Sequence, residues 1–147
     1  MEKRILPFDL YEKYLSAFSA HAVEYKGTLY QTAEHAYHCQ RYFDQEIIAE
    51  IKDSRSPYLA WENSQKYKSK QIEGFDDKKV EIMEEISRAK LQQHKDIQAM
   101  LTESGDASII KNYPDAFWGI GLNGEGRNEM GRIWIRLREE FKKKEPQ

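Results

Sequence analysis

Apolar residues recur at helical spacing along two long stretches, and this periodicity commits most of the chain to α-helix. Between about Asn128 and Lys142, Met130, Ile133, Trp134, Leu137 and Phe141 make one clean stripe. From about Asp77 to Gln93, with a related segment running on to Thr102, Val80, Met83, Ile86, Ile97 and Leu101 fall in a single arc. Shorter helices are predicted from an N-cap at Thr32 to about Phe43, over residues 45–52, and over 56–70 behind Ser56-Pro57. Strand character is confined to Ala22–Gly27 and Thr28–Gln31, where Lys26-Gly27 suits a tight hairpin turn. The expected fold class is therefore α+β, predominantly helical, with a small β-hairpin or short sheet. No repeat or Pro/Gly-rich linker divides the 147 residues, which suit one domain over 1–147. The polar tail 142–147 is expected to fray, its lysines complementing the helix dipole.

Charge and composition narrow the function. A formal charge of −2 excludes a broadly basic nucleic-acid-binding surface. No apolar run reaches the roughly 18 residues of a membrane helix, and Met1–Leu10 has no signal-peptide core, so no membrane role is expected. Cys39 stands alone and cannot form an internal disulfide, which fits a reducing, cytoplasmic setting. Aromatic residues reach 12%, a content that serves either core filling or stacking on planar ligands.

Several residues invite chemistry. Glu34 falls in the first turn behind Thr32, where a carboxylate complements the helix dipole. On a helical wheel it shares a polar face with His38 and Arg41, opposite a packing face of Ala33, Ala36 and Phe43. His35, His38 and Cys39 carry zinc-type donors, but their spacing converges poorly on one ion, so no metal is expected and a buried thiol beside two hydrogen-bonding histidines fits better. Lys90 lies within the apolar arc, so it either snorkels to water or meets an anion or carboxylate. Gly119-Ile-Gly121-Leu-Asn-Gly124 fits G-x-G-x-x-G by letter. It lacks the strand before it and the length after it that a dinucleotide fold needs. Two readings remain: a generic anion cradle with Arg127 and Asn128 at its entrance, or a flexible turn capped by Asn128. Asp115 and Trp118 set a carboxylate and a stacking surface just before it. No G-x-S-x-G motif supports a serine hydrolase.

In this order the segments resemble the YbiA-like, or NADAR, family. The resemblance rests on Phe18-Ser19, Tyr25-Lys-Gly27, Thr32-Ala-Glu-His-Ala-Tyr37, Met83 with Ala89-Lys90, Asp115-Ala-Phe-Trp-Gly-Ile-Gly121, Gly126-Arg-Asn128, Gly131 and Arg138. It implies a single compact domain and hydrolysis of an N-glycosidic bond between a ribose and a nitrogenous base, with no cofactor. Glu34 would be the carboxylate at the sugar and Asp115 a second catalytic or substrate-positioning acid. Ser19, Phe75, Lys90, Trp118, Gly119, Arg127 and Asn128 would bind substrate, with Trp118 and Phe75 stacking and Lys90, Arg127 and the loop meeting phosphate.

The expected substrate is a small ribosyl or phosphoribosyl molecule, first of all a phosphoribosylamino-pyrimidine intermediate of riboflavin biosynthesis. The alternatives are removal of ADP-ribose from guanine in a nucleotide or nucleic acid, and a non-catalytic ADP-ribose-binding module. This chain also departs from the family pattern. Ile72-Glu-Gly-Phe-Asp76 stands where relatives carry an Arg-x-Asp-Trp-like block, Lys111 replaces a glutamate, and His38 replaces a glutamine.

Overall fold

The computed structural model describes residues 4–144. In chain order the elements are α1 (Phe8–Leu10), a π-helical turn (Tyr11–Leu15), β1 (Val23–Tyr25), β2 (Thr28–Tyr30), α2 (Ala33–Cys39), α3 (Gln45–Lys52), α4 (Pro57–Gln65), a 3-10 turn (Lys68–Lys70), α5 (Phe75–Gln93), α6 (Lys95–Ser104) and α7 (Glu129–Lys144). The fold is α+β and predominantly helical, as the periodicity requires. No helix of the described residues is long and apolar enough to cross a membrane. Contacts gather the chain into two units, residues 17–93 and residues 4–16 with 94–144.

In the first unit β1 and β2 pair antiparallel with Tyr25 opposite Thr28. The Lys26-Gly27 turn takes positive φ at both residues, 51° and 85°, the geometry that matches the twist of a two-residue hairpin. Side chains of α5 fasten β1. The Tyr25 hydroxyl donates to Glu85 at 2.6 Å, while the Gln93 carboxamide exchanges two 2.8 Å hydrogen bonds with the Glu24 backbone. Val23, Ala36, Ile51, Ala60 and Ile86 form the buried interior. Side-chain caps start three helices: Thr32 accepts from His35 N, Asp44 from Glu46 and Ile47 N, and Ser56 from Leu59 N.

His35 is fully buried and neutral in its bonding pattern. Its Nε2 lies 2.9 Å from the Ser54 carbonyl, which can only accept, so Nδ1 receives the Thr32 hydroxyl at 2.8 Å.

The second unit is held by its stripe on α7. Ile133, Trp134 and Leu137 pack with Leu15, Ile97, Leu101 and Ile109, all buried. Trp134 Nε1 donates to the Leu15 carbonyl at 3.0 Å, so the largest core residue also satisfies its one polar atom. Residues 4–6 pair with Ser108 in a parallel bridge, with Leu6 N donating to Ser108 O at 2.9 Å and Ser108 N to Arg4 O at 2.7 Å.

The helix expected from about Asp77 to Gln93 is α5, and the related segment to Thr102 is α6, which begins after extended His94 where Gln93 is tied to Glu24. Three expectations are corrected. The helix from Thr32 stops at Cys39, not Phe43; Phe43 is 79% exposed, whereas His38 and Arg41 of the supposed polar face are buried. The segment expected to be helical over 56–70 ends at Gln65 and continues only as a 3-10 turn. Finally, Lys142–Lys144 continue α7, and the remaining tail lies outside the described residues.

Two outcomes follow from this packing. A Cβ built on Gly131 would lie 2.2 Å from Ile109 O and 2.3 Å from Asn128 Nδ2. Gly131→Ala should therefore destabilise by roughly 1–3 kcal/mol in urea unfolding, although alanine ordinarily gains helix stability. Burial also holds His35 below its ordinary pKa. Between that lowered value and about 6.5 the unfolded chain binds more protons, so stability should fall as pH drops through this window. Urea midpoints at pH 8 and pH 5.5 should differ less in His35→Gln than in the parent protein.

Candidate active site

Glu34 sits in the first turn of α2, where Thr32 closes the helix end and Ala17 O receives the Glu34 amide at 3.1 Å. Its side chain is only 13% exposed. Oε2 lies 2.7 Å from His38 Nε2, one turn along the helix, while Oε1 has no hydrogen-bond partner among the described residues. His38 Nδ1 receives Arg41 Nε at 2.9 Å, and Arg41 Nη1 donates to Gln71 Oε1 at 2.7 Å. The guanidinium lies 4.8 Å from the Phe75 ring centroid and 5.2 Å from that of Tyr37. Sequence reasoning found Glu34 but missed the chain behind it. The signal is the i, i+4 and i, i+7 spacing of Glu34, His38 and Arg41, which a helical wheel marks only as a polar face.

Phe75, expected to stack on substrate, is buried, with its ring against Tyr37 and Arg41. His35 is committed to Thr32 and Ser54, and the Cys39 thiol donates to the Ile48 carbonyl at 3.5 Å. Burial pushes that thiol's pKa up to about 12, so Cys39 carries no thiolate at neutral pH. The three possible zinc donors thus turn toward separate protein partners.

Lys90, on α5, is 1% exposed, which rules out the snorkelling reading. Nζ donates to Ser19 Oγ at 2.6 Å, and that hydroxyl lies 2.7 Å from His21 Nδ1. The segment Ala17–His21 therefore meets both α2, through the Glu34 amide, and α5, through Lys90.

In the other unit, Asp115 lies on the exposed start of the glycine-rich loop. One carboxylate oxygen accepts from Phe117 N at 2.7 Å and Trp118 N at 3.0 Å, fixing the turn that carries the half-exposed Trp118. Carbonyls of the loop and of the residues just before it take up most of its amides. Gly119 N donates to Asp115 O, Ile120 N to Lys111 O, Gly121 N to Tyr113 O, Gly126 N to Ile120 O, and Asn128 N to Gly119 O. Glu129 N and Met130 N, at the start of α7, donate to Phe117 O and Trp118 O. Asn128 is not a side-chain cap of the helix. Its Oδ1 accepts from Lys111 N at 2.9 Å and its Nδ2 donates to Ile109 O at 3.0 Å. Arg127 remains exposed, stacked 4.8 Å over Phe117 and paired with Glu129 at 2.6 Å. The loop thus presents an exposed guanidinium paired with Glu129 and a partly exposed indole, while most of its amides are spent on carbonyls.

The chain is similar to known proteins in sequence and in fold. The chain is 29% identical to the N-glycosidase YbiA of Escherichia coli (strain K12) over 127 residues, covering 86% of this chain and 79% of that one. It is 32% identical to an N-glycosidase of Nostoc punctiforme, covering 86% and 84% of the two chains. A riboflavin biosynthesis protein of Vibrio vulnificus is 31% identical across 90% of this chain and 36% of its own length. The NMR structure of E. coli YbiA superposes with a TM-score of 0.87 at 27% identity, over 100% of this chain and 92% of that one. The NADAR domain model matches residues 9–142, which include Glu34, Lys90 and the Asp115–Asn128 loop. The chain thus belongs to the NADAR domain family, and its reaction class is that of a glycosidase acting on an N-glycosidic bond.

Proposed function

We propose that the chain hydrolyses the N-glycosidic bond of a phosphoribosylamino-pyrimidine, an intermediate of the riboflavin pathway, and that Glu34 is the carboxylate at the sugar. The observation that carries this reading is the asymmetry of Glu34: one oxygen is held by His38, and the other makes no hydrogen bond among the described residues. Breaking the bond between C1′ and the amine nitrogen develops positive charge on C1′ and the ring oxygen. A fixed carboxylate stabilises that charge and orients water. Glu34 Oε1 takes a proton from water as the water oxygen bonds to C1′. The electrons of the C–N bond leave with the amine, which takes up a proton, and the products are the free base and ribose phosphate.

The names of the Vibrio and Nostoc relatives support the pathway and the bond type. Lys90 and Ser19 act as a pair, the buried ammonium supplying positive charge and the hydroxyl a directed contact for substrate oxygens. Asp115 positions Trp118 through the turn amides. Trp118 offers its ring to a base and Arg127 its cation to a phosphate, while Gly119 and Asn128 hold the loop's shape and Phe75 seats Arg41.

Incubation with a phosphoribosylamino-pyrimidine should release the base and ribose phosphate. Glu34→Gln should lower kcat by about 10²–10⁴-fold with an unchanged melting transition. Full turnover by that variant would remove Glu34 from its role. Release of ADP-ribose from ADP-ribosylated guanine, with no turnover of the pyrimidine substrate, would move the site to the other substrate class.

A further inference from the structure

We propose that His38 is a positioning residue for Glu34: a neutral imidazole, its tautomer set by Arg41, that holds Oε2 and leaves Oε1 to the reaction. The inference rests on the reading of Glu34 as the carboxylate at the sugar. Three facts fix the ring. Arg41 Nε can only donate and is not deprotonated in proteins, so its 2.9 Å contact requires a lone pair on His38 Nδ1. A neutral ring with Nδ1 bare carries its proton on Nε2, which points at Glu34 Oε2 at 2.7 Å. Ser64 Oγ, 3.3 Å from the same Nδ1, has its own proton engaged by the Trp61 carbonyl at 2.6 Å and does not compete with the guanidinium.

From Arg41 through His38 to Glu34 the donors run in one direction. Gln71 Oε1 anchors one arm of Arg41 at 2.7 Å, and Ile72 N donates to Arg41 O at 2.8 Å, so both the main chain and the side chain of Arg41 are fixed. The adjoining rings of Tyr37 and Phe75 lie against the guanidinium. His38 is buried and its ring lies edge-on to Tyr37, 5.0 Å between centroids, which leaves it little freedom to flip. A carboxylate on a flexible glutamate side chain gains a defined orientation from such a donor. A displacement of about 1 Å in a reacting group is enough to cost about 100-fold in rate.

The test combines kinetics on a phosphoribosylamino-pyrimidine with nitrogen NMR of the full chain. His38→Leu, which removes the donor, should lower kcat about 10–100-fold with KM nearly unchanged. His38→Gln supplies an amide donor toward Glu34 and an oxygen for Arg41, and should recover kcat to within a few-fold. Arg41→Met, which leaves His38 in place but frees its tautomer, should fall between them. In the parent protein, long-range 15N–1H correlations should show His38 as the Nε2–H tautomer at pH 7.5.

Wild-type kcat in His38→Leu would overturn the proposal, as would an Nδ1–H or imidazolium signature for His38. Glu34→Gln inactive with His38→Leu fully active would sink this inference alone, whereas an active Glu34→Gln would sink the reading beneath it. Should His38→Leu fail to fold, the NMR signature and the ordering of His38→Gln above Arg41→Met decide the matter.

Discussion

The buried guanidinium of Arg41 organises the unit formed by residues 17–93. Removing such an ion from water costs several kcal/mol, so it is found where every face has an answer. Here Nε meets His38, Nη1 meets Gln71, and the adjoining rings of Tyr37 and Phe75 lie 5.2 Å and 4.8 Å from the guanidinium carbon. Hydrogen bonds involving a charged group are worth about 1.5–3 kcal/mol and ring contacts about 0.5–2 kcal/mol, enough together to offset that cost. Each answer also fixes its owner. His38 belongs to α2, Gln71 to the stretch before α5, and Phe75 to the first turn of α5, so three pieces of chain are brought to one charge.

That constraint explains why α2 was legible at its start and not at its end. Thr32 is an N-cap on local grounds alone, and the side chain does cap the helix. Its termination at Cys39 is not local, because the Arg41 carbonyl is required by the amide of Ile72, 31 positions along the chain. The burial of the polar face of Glu34, His38 and Arg41 is illegible for the same reason: a wheel shows which residues share a side, but not what covers it. The hairpin was legible because Lys26-Gly27 dictates its own turn. The pairing of residues 4–6 with Ser108 left no periodic trace, since it depends on a bridge across about a hundred residues.

The glycine-rich loop shows the same limit from the other side. A run of glycines ahead of a helix predicts free amides and hence a phosphate cradle. Whether those amides are free depends on carbonyls upstream of the run, and Lys111, Tyr113 and Asp115 supply them. Asn128 completes the closure with one side-chain acceptor and one donor, both spent on backbone. The family pattern of Gly126-Arg-Asn128 and Gly131 therefore has a structural meaning before any ligand is considered: Gly131 leaves room for Asn128 and for the Ile109 carbonyl.

The relation between Arg41 and Glu34 is the more telling use of a buried charge. A direct bidentate pair would satisfy the guanidinium more simply, but it would occupy both carboxylate oxygens. Interposing a neutral imidazole transmits the pairing through two directed hydrogen bonds, 2.9 Å and 2.7 Å long, and engages a single oxygen. The guanidinium then needs a second acceptor, which Gln71 provides without adding charge. Burial of the cation, the neutral spacer and the single-point hold on Glu34 are thus parts of one arrangement. It stabilises the unit while leaving the carboxylate a lone-pair face for chemistry.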